Sequence, residues 1–312
     1  MDAFFLVFGL TGLWLGSQLA VRGAQNISQH FRISPLFVGL VILAIGTDLP
    51  ELSVTIAGTL KETAGADASG VVLGNAIGSI LSQGTLIVGI TAFFGTLAVA
   101  RRMVLRDGLM MLASLVFFLI SALDGTISTA EGVLLLSIYA IYLLLILQTE
   151  RNRAELPRKK TNGIFWTFIY LAGGLGLLVF SSSLVVDSTL RMASAIGISQ
   201  VFISILAIGL GTSLPELATS VAAVRRGEGS LAFGNLVGSC TLDALLLPGI
   251  GALIASGLPV DSALLTYDLP AALIALTLVV IMFLMTKRFD RRYALAAIIL
   301  YFLFFVGRAF IL

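Results

Sequence analysis

Gly46–Glu51 reads G-T-D-L-P-E, and 165 residues later Gly211–Glu216 reads G-T-S-L-P-E. Each copy sits inside a long apolar stretch, where a carboxylate is costly. Each is followed by a second recurring stretch, Gly74–Ser79 (G-N-A-I-G-S) and Gly234–Ser239 (G-N-L-V-G-S), here at an offset of 160. Two motifs repeated in the same order indicate an internal duplication. The difference between the two offsets falls in the loop Lys61–Ser69 against the shorter loop Arg225–Gly229.

The surroundings of these motifs set the class. The chain of 312 residues is 58% hydrophobic and 12% charged, with a mean hydropathy of +1.05, which marks an integral membrane protein. A spanning helix needs about 20 apolar residues, and ten such stretches can be read: 3–21, 34–60, 69–96, 104–123, 131–149, 163–184, 197–224, 229–256, 267–286 and 292–311. Alternating strands with a polar inner face are absent, so helices are expected rather than a barrel. The expected fold is an all-α polytopic membrane protein of ten transmembrane helices. Its first five-helix repeat occupies 1–149, a cytoplasmic connector 150–162 and the second repeat 163–312. Because five is odd, the halves must lie in opposite orientations, the inverted repeat of many secondary transporters.

Lys and Arg placement orients the chain. With the N-terminus outside, 16 of the 19 basic residues face the cytoplasm, in the groups Arg22 and Arg32, Arg101–Arg106, Arg151–Lys160, Arg225–Arg226 and Lys287–Arg292. Lys61, Arg191 and Arg308 remain outside, and both termini are extracytoplasmic in the plasma (inner) membrane. Met1–Gly16 lacks a basic leader and a small-residue cleavage site, so it reads as the first span. The basic connector is a cytoplasmic anchor that touches anionic lipid; nothing points to nucleic acid. Cys240, the lone cysteine, forms no internal disulfide. Trp166 is placed as an interfacial aromatic, Trp14 as a packing residue or a second interfacial aromatic, and His30 as a solvated loop residue.

Of 17 acids, four fall within the predicted spans away from their ends: Asp48, Glu51, Glu216 and Asp243. Unpaired in lipid they would together cost on the order of 10 kcal/mol. No Lys or Arg lies within those spans, so the missing counter-charge is a bound cation or a proton. Spacing brings partners to them. Thr47 and Glu51, and Thr212 and Glu216, are four apart and share a helix face. Asn75, Ser79 and Gln83 form one polar stripe, and Asn235, Ser239 and Asp243 form its counterpart. Pro50 and Pro215 free the carbonyls of Gly46 and Gly211, which in a membrane need another partner. This set of carboxylate, hydroxyl, amide and carbonyl oxygens suits a hard cation such as calcium or sodium; zinc or copper would call for His or Cys.

At these residues the sequence resembles the cation/calcium exchanger superfamily in its small prokaryotic sodium/calcium exchanger form. The resemblance covers nearly the whole chain. It implies that Glu51 and Glu216 are carboxylates shared by calcium and sodium, that Thr47 and Thr212 add backbone and hydroxyl oxygens, and that Ser79 and Ser239 line flanking sodium sites. It further implies that Ser213 is a ligand, that Asp243 is an acid kept protonated in some members, and that the carbonyls of Ala44 and Gly209 bind sodium. Gly16–Phe31 and Phe180–Ile196 resemble the family's two long gating helices. Two positions depart from the pattern: Asp48 stands where Ser is usual and Gln83 where Asn is typical. The expected function is a secondary active antiporter, not an enzyme, exchanging Ca2+ or a similar divalent cation for Na+ by alternating access. It works as a monomer in the lipid bilayer, with inorganic cations as its partners and no cofactor. Proton- or potassium-coupled exchange through Asp48 is the alternative. A passive channel would show calcium flux without an opposing gradient, and an intramembrane enzyme would need a nucleophile–base pair that the chain does not offer.

Overall fold

The computed structural model describes residues 2–65, 69–151, 163–195, 210–286 and 288–311. Its helices are α1 (Asp2–Phe31), α2 (Pro35–Thr47), α3 (Leu49–Thr63), α4 (Ser69–Phe94), α5 (Arg101–Ala122), α6 (Thr129–Arg151), α7 (Ile164–Ala195), α8 (Leu214–Arg225), α9 (Gly229–Ala255), α10 (Leu264–Met285) and α11 (Arg291–Ile311). Among the described residues eight helices are long and apolar enough to cross a membrane, or nine if the bent pair α2–α3 is one span. Of the expected span 197–224, residues 197–209 lie outside the described residues, as does most of the connector 150–162; α8 is the span's remainder.

Local chemistry starts and stops these helices. Ser34 caps α2, its hydroxyl accepting from the Phe37 N–H at 3.1 Å with Pro35 in the first turn. Ser128 and Glu131 form a reciprocal capping box at the start of α6, with the Ser128 N–H donating to Glu131 at 2.8 Å and the Glu131 N–H donating to the Ser128 hydroxyl at 3.3 Å. The chain bends by 46° between α2 and α3. The break is at Asp48 (φ −77°, ψ 5°), two residues ahead of Pro50, which has no N–H to continue the ladder.

Helices α4 and α9 are the most enclosed and form the centre; α9 packs against α2, α3, α4, α5, α6 and α8. Its approach to α2 is backbone to backbone. A side chain at Gly39 would strike the Leu231 carbonyl, and one at Gly234 or Gly238 would strike the carbonyls of Leu36 and Leu40, so these glycines are what permits the contact. Around this core the outer faces of α6 and α11 expose Leu144, Leu145, Phe302, Leu303 and Val306, the composition a lipid-facing surface requires.

Helices α1 and α7 form an antiparallel pair set against the core. They are 30 and 32 residues long, or about 45 Å at 1.5 Å per residue, too long to cross a ~30 Å hydrocarbon layer without tilting. Their contact runs along Gly9, Gly12, Gly16 and Gly23 of α1, against Ser181, Gly174 and Leu171 of α7. Asp2 and Arg191 join the pair at one end, 2.7 Å apart. Helix α1 continues well past the expected end of its span at 21, because Ala24, Ile27 and Ser28 keep one face buried. His30 therefore lies in its last turn, exposed, with its ring against Phe31. Trp14 is 58% exposed rather than packed inside the bundle, and Trp166 is 54% exposed.

Two short antiparallel pairings tie distant loops together. Leu97, between α4 and α5, bridges Phe289, between α10 and α11. Thr126–Ile127, between α5 and α6, pairs with Leu258–Pro259, between α9 and α10. Exchanging the two halves of the chain turns one pairing into the other.

Candidate cation site

The break at Asp48 and the start of α8 put both repeated motifs against the polar faces of α4 and α9. Thr47, Asp48, Glu51, Ser79, Gln83, Ser213, Glu216, Ser239 and Asp243 are all at most 1% exposed. One carboxylate oxygen each of Asp48, Glu51 and Glu216 lies within 4.8 Å of the other two. The acids drawn from two distant motifs therefore meet, close enough for one ion to touch all three at the ~2.3–2.6 Å that calcium takes.

The hydroxyls converge on the same point. Ser213 donates to Glu51 Oε1 at 3.2 Å and Ser79 to the same oxygen at 3.5 Å. Ser82, which the sequence did not single out, donates to Ser213 at 3.3 Å. Asn75 holds the Glu51 backbone carbonyl at 3.2 Å. Asn235 accepts from Thr47 at 3.4 Å and donates to Thr219 and Ser220, both at 3.2 Å. The halves interlock reciprocally: Thr212 and Ser213 face Glu51, while Thr47 and Asp48 face Glu216. Where Ser213 gives Glu51 a donor, Asp48 sets a second carboxyl against Glu216. Two carboxylates this close disfavour being charged together unless a proton or cation sits between them.

Asp243 lies outside the triad, beside Gln83. Among the described residues both oxygens of Asp48, Glu216 and Asp243 lack hydrogen-bond partners, as do Glu51 Oε2, the Gln83 amide and the Ser239 hydroxyl. So many orphaned polar atoms in one buried cluster would be strongly destabilising as a purely structural core; they fit a cation coordinated by oxygen. Two backbone expectations fare differently. The Ala44 carbonyl accepts from the Asp48 N–H at 2.9 Å and from Thr47 at 3.4 Å, while Gly209 lies outside the described residues. The Gly211 carbonyl, freed by Pro215, accepts from the Ser182 hydroxyl of α7 at 2.7 Å, so a side chain supplies a partner where the proline removes one.

The ion pairs Arg106–Asp107 (2.7 Å) and Arg308–Asp268 (2.9 Å) lie elsewhere. They neutralise two further interior acids, which sequence reading left aside as span ends. The adjacent Arg at 106 was the available signal for the first; the second pair, forty residues apart, had none.

A buried cage of carboxylates and hydroxyls, built where helices break inside a multi-spanning bundle, is the kind of site a membrane cation transporter uses. The sodium/calcium exchanger protein family model matches residues 1–148 and 166–310, and the chain belongs to that family. It is 32% identical to the putative antiporter CaxA of Alkalimonas amylolytica, over 92% of each chain. It is 28% identical to the sodium/calcium exchanger MaX1 of Methanosarcina acetivorans, over 90% of each. Its fold is similar to that of the sodium-calcium exchanger NCX_Mj soaked with Na+ and Sr2+, with a TM-score of 0.83, 27% identity and 98% of each chain covered. The protein is thus a multi-pass membrane cation exchanger of a transporter family.

Proposed function

We propose that the protein is a secondary active antiporter of the inner membrane that exchanges Ca2+, or a similar divalent cation, for Na+ by alternating access. The observation that carries this reading is the triad of Asp48, Glu51 and Glu216 oxygens within 4.8 Å of one another, lined by hydroxyls and free of any Lys or Arg within the predicted spans that bear it. Glu51 and Glu216 hold the divalent ion, with oxygens from Thr47, Thr212 and Ser213. Ser79, Ser239, Gln83, Asp243 and the carbonyls of Ala44 and Gly209 serve monovalent ions beside it. Because both kinds of ion need the same two glutamates, they bind in turn, and the empty charged cage crosses slowly; that makes flux in one direction depend on flux in the other.

The reciprocal loop pairings and the crossed Thr–Glu contacts support two inverted five-helix repeats, 1–149 and 163–312, joined by a cytoplasmic connector, with ten spans and both termini outside. The close glycine-lined contact that joins α1 and α7 beside the core supports a pair that slides over that core as one unit and opens the site to each side in turn. The names of CaxA, a putative antiporter, and of MaX1, a sodium/calcium exchanger, agree with this reading. The protein acts as a monomer.

A second reading has one observation in its favour: the Asp48 carboxyl against Glu216, where a proton or potassium would take the place of sodium. One experiment separates the two. Reconstituted into liposomes, the protein should drive uptake of radiolabelled calcium under an outward sodium gradient and not under potassium or proton gradients alone. Calcium uptake that follows the proton or potassium gradient selects the second reading, and calcium flux without any opposing gradient rejects both.

A further inference from the structure

Tyr139 is a buried polar group that the site as described does not use. It lies on α6, is 6% exposed, and its phenolic oxygen has no hydrogen-bond partner among the described residues. A hydroxyl buried in that way is costly. Helix packing shows where it sits. Helices α6 and α9 cross antiparallel, Gly132 lying against the Gly249 carbonyl and Ala252, and Gly249 against Leu136. One turn beyond Leu136, Tyr139 comes level with the Asp243 turn of α9, and the charged groups that act on it are Asp48 and Asp243. All four oxygens of those two carboxyls are themselves without partners among the described residues. Tyr142, three residues on, is a contrast on the same helix: its hydroxyl donates to Asp107 at 3.2 Å.

We propose that Tyr139 is a specificity-determining residue of the cation site, its hydroxyl reaching the Asp243 carboxyl through one water and holding it turned toward the monovalent ion. This rests on the exchanger reading above. The triad alone brings three acid oxygens within reach of one divalent ion; Asp243 and Gln83 fall outside it, so the flank they form serves a separate ion. A phenol suits that flank because it donates one proton to a carboxylate while its own lone pairs stay available to a weakly charged ion.

The test is ion-induced thermal stabilisation of the full-length protein in detergent, titrated with NaCl, KCl and CaCl2 at constant ionic strength. Tyr139→Phe should raise the half-saturating concentration of the stabilising monovalent ion about tenfold, the worth of one hydrogen bond to a charged group, and leave calcium within about threefold. Tyr142→Phe loses a comparable buried hydroxyl and should lower the ion-free melting temperature without moving either midpoint. Equal shifts for both kinds of ion in Tyr139→Phe, no shift in either, or an unaltered protein that responds to calcium and to neither monovalent ion would overturn the inference. An unaltered protein stabilised by none of the three salts would overturn the cation-site reading and this inference with it.

Discussion

Glu51→Gln isolates the charge of the central site from its shape. Glu51 Oε1 accepts from Ser213 at 3.2 Å and Ser79 at 3.5 Å, and the amide oxygen of glutamine can accept both bonds. Its fold should therefore survive. What disappears is one negative charge from a cluster in which three acid oxygens lie within 4.8 Å. Removing one partner of a buried charge pair costs about 3–5 kcal/mol, so calcium affinity should fall by about two to four orders of magnitude. Calcium-dependent uptake in liposomes should be lost at micromolar calcium, and the mirror change Glu216→Gln should do the same. A second readout excludes misfolding. The ion-free protein carries crowded carboxyls that disfavour one another, so the variant's melting temperature without ions should hold or rise. The increment that saturating calcium gives the unaltered protein, about 2.7 kcal/mol at a hundred times Kd, should vanish. Uptake retained with a half-saturating calcium concentration within about threefold of the unaltered protein would refute the assignment.

Other perturbations probe separate parts of the argument. Asp48→Ser makes the first motif match Ser213 of the second and should change the driving ion or the pH profile of calcium flux, measured under separate sodium, potassium and proton gradients; an unaltered profile makes Asp48 a spectator. Ser182→Ala leaves the buried Gly211 carbonyl without its 2.7 Å donor and should cost about 1–3 kcal/mol in thermal unfolding. Ser17→Ala, which loses a 2.8 Å bond to the Trp14 carbonyl of its own helix, should cost less in the same assay. Gly39→Ala drives a methyl group into the Leu231 carbonyl and should cost about 1–3 kcal/mol or more by overpacking, read as loss of a monodisperse peak in size-exclusion chromatography.

Much of the site could be read from residue order because membranes make acids expensive. Four interior carboxyls in spans with no interior bases had to face one another or an ion, and three of the four do meet. The helix break at Asp48 was legible through Pro50, since a missing N–H is a local property. Contacts made across the bundle were not. Nothing in the spacing of Ser182 and Gly211 says that a hydroxyl from one helix would cap a carbonyl on another; the proline argument says only that the carbonyl needs some partner. Tyr139 has no motif around it; its place follows from the way Gly132 and Gly249 let two helices close. Hydropathy alone ends α1 at Arg22; the resemblance of Gly16–Phe31 to a long helix is what reaches Phe31, and the buried face of Ala24, Ile27 and Ser28 holds that turn in place.

The loop pairings, Leu97 with Phe289 and Thr126–Ile127 with Leu258–Pro259, have a consequence for how such a molecule is made. Each strand finds its mate in the opposite half, so a half synthesised alone would carry two bare backbone edges and a fraction of its acids without their counterparts. A gene split at the connector should therefore yield working protein when its two products are made in the same cell and none when either is made by itself.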